Sequence, residues 1–79
     1  MDEITLISHT PLEVTPTLAF STIQNRSSEA SGILYISSHG DLNKVWIELQ
    51  PGSSVKFDKP LYFMQKTGKD MKIPVIEGS

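Results

Sequence analysis

The chain has 79 residues, with 7 Lys and Arg against 9 Asp and Glu, a net charge of −2, and no cysteine. That length holds one domain, residues 1–79, and the lack of cysteine excludes a disulfide. Phosphate neutralisation needs clustered Lys and Arg, and the loose basic grouping at Lys66, Lys69 and Lys72 has Asp70 inside it, so nucleic acid is not an expected partner.

The longest apolar runs fall far short of the ~20 residues of a membrane-spanning helix, so no membrane partner is expected. Met1-Asp-Glu-Ile-Thr5 lacks the basic start and apolar stretch of a secretory signal. The expectation is a soluble protein made in a cytoplasm, and the Met1 start suggests a complete small product. Domains of this size have thin cores and usually lean on disulfides, metals or association. No His, Asp or Glu cluster has metal-ligand spacing, which leaves self-association as the expected support.

Short apolar segments broken by Ser, Asn, Gly and Pro describe an all-β domain. The first expected strand is Glu3 to Ser8, with Ile4 and Leu6 on one face. Pro11 and Pro16 bracket Leu12-Glu-Val-Thr15, an edge piece or a crossing between sheets. Leu18 to Asn25 follows. Its alternation holds for Leu18 and Phe20 and then slips to Ile23, so a bulge near Ser21 or Thr22 is expected to restore the inward phase. Asn25 to Ser31 is polar and reads as a loop, with at most one helical turn at Ser27–Ser31.

Ile33 to Ser37 is dense in apolar residues, as in a strand covered on both faces. Ser38-His-Gly-Asp-Leu-Asn43 is a loop with Gly40 free to take positive φ. Lys44 to Gln50 alternates: Val45, Ile47 and Leu49 to one side, Trp46, Glu48 and Gln50 to the other. Pro51-Gly52 has the type II turn preference. Ser54 to Asp58 returns with Val55 and Phe57 inward, and Leu61 to Lys66 is the next strand. Gly68 marks a hairpin-sized loop. Met71 to Ile76 ends the pattern, with Glu77-Gly-Ser79 as a tail. Pro74 makes this last strand an edge, or lets it pair only through its other side.

About seven short strands make a small antiparallel two-sheet sandwich or a barrel-like fold. The expected core is Phe20, Ile23, Leu34, Ile36, Val45, Ile47, Leu49, Val55, Phe57 and Phe63.

Chemistry is not written in the pattern. A nucleophilic triad needs Ser or Cys, a base and a carboxylate converging in space. Neither His9 nor His39 lies in a nucleophile motif, and His39 reads as a loop residue beside a turn. The acids are scattered, and two possible ligands, His39 and Asp41, do not make a zinc site. No glycine-rich phosphate loop is present. The expectation is a protein that is not an enzyme and has no catalytic residues, no metal and no cofactor.

What remains is surface. If Val45, Ile47 and Leu49 face the core, Trp46 faces away from it. Its cover is either its own chain, such as the Pro11–Pro16 segment, or a partner, since Trp and Tyr are enriched at interfaces. Tyr35 and Tyr62 face the same choice. Trp46, Tyr62 and Tyr35 are the candidate interface residues.

The phrases Ile23-Gln-Asn-Arg-Ser27, Leu34-Tyr-Ile-Ser37, Leu49-Gln-Pro-Gly-Ser-Ser54, Leu61-Tyr-Phe63 and Val75-Ile-Glu-Gly78 occur in an order that resembles small β-sandwich structural proteins of tailed bacteriophages. The resemblance spans residues 18–78, the sandwich core. It leaves residues 1–17 as a Pro-flanked N-terminal arm suited to adding a strand to a neighbour. It implies a non-enzymatic virion component: head decoration, a head fibre base, or a tail or collar piece. It also implies a homo-oligomer, with a trimer as the guess, and other virion proteins as partners. The alternative is a small carbohydrate- or protein-binding sandwich with Trp46 and Tyr62 as its platform.

Overall fold

The computed structural model describes residues 3–16 and 19–78. It is all β, with eight strands and no helix among these residues. The strands are β1 (Glu3–Leu6), β2 (Leu12–Val14), β3 (Phe20–Gln24), β4 (Leu34–Ser37), β5 (Ile47–Leu49), β6 (Ser54–Phe57), β7 (Leu61–Gln65) and β8 (Met71–Gly78). They form two antiparallel four-stranded sheets, ordered β1-β8-β3-β6 and β2-β7-β4-β5. The expected all-β, two-sheet architecture is what the chain adopts. The expected start of the third strand at Leu18 lies outside the described residues.

Alternation sets the inward rows. In the first sheet Ile4 lies opposite Ile73, Leu6 opposite Met71, and Ile23 between Val75 and Val55. In the second, Phe63 lies between Leu12 and Ile36, and Leu34 lies opposite Leu49. Phe57 and Phe63 meet across the sheets, ring centroids 5.4 Å apart. Burying each such side chain contributes about 1.5 to 3 kcal/mol before entropy is subtracted.

Several expectations need correction. The expected N-terminal arm, residues 1–17, is part of the sandwich over its described residues 3–16: β1 and β2 pair within the chain and place Ile4, Leu6 and Val14 in the core. The cause is visible in the alternation of Ile4 and Leu6, while Pro11 and Pro16 simply bound an edge strand. No bulge occurs in β3, whose register with β6 runs unbroken from Ser21–Phe57 to Gln24–Ser54. Ile23 sets the phase, so Ser21 is inward and Phe20 outward. The Lys56 ammonium sits 3.9 Å from the Phe20 ring centroid and covers it.

Pro74 does not put β8 at an edge. β8 pairs with β1 through Met71–Pro74 and with β3 through Val75–Gly78. The proline, which has no N–H to donate, stands where the strand exchanges one partner for the other. The expected tail at Glu77 and Gly78 is a continuation of this strand.

Val45 and Ile47 are not core residues. They are 91 % and 71 % exposed. The inward phase assigned to Ile47 is right, since it lies opposite the buried Ile36. But β5 is an edge strand of three residues, and the covering layer ends before Ile47.

Two buried side-chain amides tie the layers together. Asn25, which ends β3 in the first sheet, donates from Nδ2 to the carbonyls of Gly32 (2.7 Å) and Leu49 (2.8 Å), the latter in the second sheet. Its Oδ1 accepts the Ser27 N–H at 3.0 Å. Its main chain bonds Ser53 O and Gly52 N in the turn ahead of β6. Gln65, which ends β7, donates to Leu6 O of β1 at 2.9 Å, and its Oε1 accepts the N–H and hydroxyl of Thr67, both at 2.6 Å.

Candidate binding surface

The outer face of the second sheet carries Tyr35, opposite both Met64 and Glu48, and Tyr62, opposite Ser37 and Glu13. An outer sheet face is normally solvated. Here the loop between β4 and β5 folds back over it, and the reason lies in that loop's own bonds.

Asp41 organises the loop. Its Oδ1 accepts the Asn43 N–H at 2.9 Å, and its carbonyl accepts the Lys44 N–H at 3.2 Å. The same carbonyl accepts the Trp46 indole N–H at 2.9 Å. His39 closes the other side. Its Nδ1 accepts the Asp41 N–H at 3.0 Å, which leaves Nε2 as the protonated nitrogen, 3.4 Å from Val45 O. The His39 ring stands edge-on to Trp46, centroids 5.8 Å apart. Gly40, at φ +68°, brings the backbone down onto the Tyr62 ring, where a β-carbon would lie 2.8 Å from a ring carbon.

The result is a cleft of about 340 Å³ lined by His9, Tyr35, Leu42, Lys44, Trp46, Met64 and Lys66. Met64 is almost fully buried although its strand phase points it outward. The Lys66 ammonium lies 4.9 Å from the centre of the Tyr35 ring. His9 reaches the cleft from the corner between β1 and β2. It sits in the turn closed by Thr10 N to Ile7 O at 3.1 Å, with φ +63°. Its N–H donates to Gln65 O at 2.7 Å, which holds that backbone where a non-glycine residue rarely goes.

Trp46 and Tyr35 are therefore brought together, and Tyr62 is not part of their cleft. Tyr62 lies beside it, half-buried under Gly40. Trp46 is also half-buried, covered on one side by His39 of its own chain. Sequence reasoning missed His9, Leu42 and Met64. Ser37-Ser-His-Gly-Asp41 holds the loop-forming residues, but nothing local says that the loop turns back over the sheet.

Among the described residues neither histidine ring is hydrogen-bonded to a carboxylate. The Ser8 hydroxyl is 2.9 Å from His9 Nδ1, yet it also accepts the Gly68 N–H at 2.9 Å, a bond that fastens the β7–β8 loop. Among the described residues no three His, Asp or Glu side chains are grouped to hold a metal ion. Set against protein-family models, curated proteins and solved structures, the chain has no match.

Proposed function

We propose that the protein is a non-catalytic assembly module. It is a structural component that works by docking the β5 edge and the preceding loop onto other protein surface. A virion part of a tailed bacteriophage, the role implied by the sequence resemblance, is a component of this kind. The observation that carries the reading is the pair Val45 and Ile47, 91 % and 71 % exposed, with Ile47 opening the edge strand β5 and Val45 two residues ahead of it. Small soluble domains leave single aliphatic residues exposed, but an adjacent pair on an unpaired edge invites a second chain. The structural duties of His39 and Ser8 support a role without catalysis.

Sedimentation across a wide concentration range tests the reading. Self-association that weakens when Val45 and Ile47 are both changed to Ser supports it. A strict monomer at several hundred micromolar, with Trp46 emission unchanged on dilution, removes self-assembly.

The cleft favours a second reading, a monomeric module that binds carbohydrate or peptide, because Trp46 and Tyr35 line one concavity. Under that reading Trp46 emission shifts on adding a simple sugar or short peptide, and Tyr35→Ala abolishes the shift.

A further inference from the structure

The four free edges of the two sheets are β1, β6, β2 and β5. β2 is three residues long and sits between Pro11 and Pro16, neither of which can donate to a new strand. β6 carries Lys56 in its middle and runs into Asp58-Lys-Pro60. β1 begins on Glu3. Charges and prolines of this kind blunt an edge. β5 has Glu48 on its outer face and Ile47 and Leu49 in its inward row, of which only Leu49 is covered, and Val45, two residues ahead of Ile47, is exposed as well.

We propose that the occupant of this edge is a second copy of the chain, its β5 antiparallel to the first and related to it by a two-fold axis at Trp46. This rests on the assembly reading above and names its partner and register.

The register follows from the side chains. A continuous core needs inward residues opposite inward residues, because a one-residue slip turns every side chain over. Centring the pair on Glu48 opposes two carboxylates. Centring it on Ile47 sets Val45 against Leu49, which its own core already covers. Centring it on Trp46 sets Val45 against Ile47 at both ends, so the exposed aliphatics cover each other. The same register sets Lys44 against Glu48, again twice. The apolar argument and the charge argument select one arrangement independently.

The pairing extends β5 back from Ile47 towards Lys44, whose N–H is already held by Asp41 O at 3.2 Å. It joins the two second sheets into one. Because the contact is self-complementary it closes at two copies, not at the three that the sequence resemblance implied.

The test is a charge swap on the intact chain, read by sedimentation and by the concentration dependence of Trp46 emission. The side chains are exposed, so melting by circular dichroism should show every variant folded. Lys44→Glu and Glu48→Lys each turn two attractive cross-strand pairs into repulsive ones and should weaken the dimer by about tenfold or more. The double variant K44E/E48K should restore it to within about threefold of the parent, since the opposed charges are merely exchanged. Single swaps that weaken the dimer with no recovery in the double variant overturn the register. An oligomer indifferent to both swaps overturns the β5 pairing and leaves the assembly reading standing. A parent chain that stays monomeric at several hundred micromolar overturns the inference and self-assembly together.

Discussion

Replacing Asn25 with Ala removes a side chain that is fully buried and makes three hydrogen bonds. The bonded groups are the carbonyls of Gly32 and Leu49 and the amide of Ser27. Each bond contributes about 0.5 to 1.5 kcal/mol net, and a buried partner left alone costs about 1 to 3 kcal/mol. Some of the freed groups will find water, so the expected loss is about 3 kcal/mol. A chain of this length has about 4 to 12 kcal/mol in total. At about 4 to 8 °C per kcal/mol, the midpoint should fall by about 10 to 25 °C. Urea titration followed by Trp46 fluorescence measures the change.

Asn25→Asp adds a second, signed test. Its carboxylate would face two carbonyl oxygens without water, which raises its pKa in the fold above the unfolded value. The folded variant then binds more protons than the unfolded one between those two values, so its stability falls as pH rises through that window. The deficit against the parent should shrink on acidification from neutral pH. An N25A variant within about 1 kcal/mol of the parent would mean that the inter-sheet tie is dispensable and that water replaces it at little cost.

Ser21 has a buried hydroxyl with no partner among the described residues. Ser21→Ala should therefore be neutral or stabilising by about 1 kcal/mol in thermal melts, against the usual direction for a core change. Gly40→Ala should cost more than Gly52→Ala. Both positions have positive φ, worth about 1 kcal/mol, but a β-carbon at Gly40 also strikes the Tyr62 ring while Gly52 faces open space. Equal losses in denaturant would contradict the packing of the loop on Tyr62. Phe63→Ala should cost about 3 to 5 kcal/mol. Ile47→Ala, at a site the strand pattern assigns to the core, should stay within about 0.5 kcal/mol when measured at a concentration where the chain is monomeric.

Turns were the most legible part of the fold. Gly52 and Gly68 adopt the positive φ that their sequence contexts demand, because few other residues tolerate it. His9 adopts it too, without a local signal, because Gln65 O holds its amide from a strand far along the chain. Burial was legible for Ile23, Leu34 and Phe63, each fully buried as expected. Strand phase failed for Phe20, where the register of β3 on two partners outweighs the preference of one aromatic ring.

For Ile47 the phase was right and the burial wrong. Alternation states which way a side chain points and not how far the opposite layer reaches. Asn25 read as a strand end and Gln65 as an ordinary strand residue, since a buried amide looks like any other polar position until its acceptors are placed. Of the candidate surface, Trp46 and Tyr35 were legible as residues. Their meeting was not, because it depends on the fold of the Asp41 loop.

β8 carries a consequence for the order in which the molecule can form. It is the central strand that joins β1 to β3, yet it is the last of the eight to be synthesised. A nascent chain that has delivered every residue up to Asp70 can pair β3 with β6 and complete the second sheet. It has nowhere to put β1. The inward faces of Ile4, Leu6 and Ile23 then stay open to water, or to a neighbouring nascent chain, until Met71–Gly78 emerge. Completion of the first sheet therefore waits for β8, and its rate is set by closing the long loop between Leu6 and Met71.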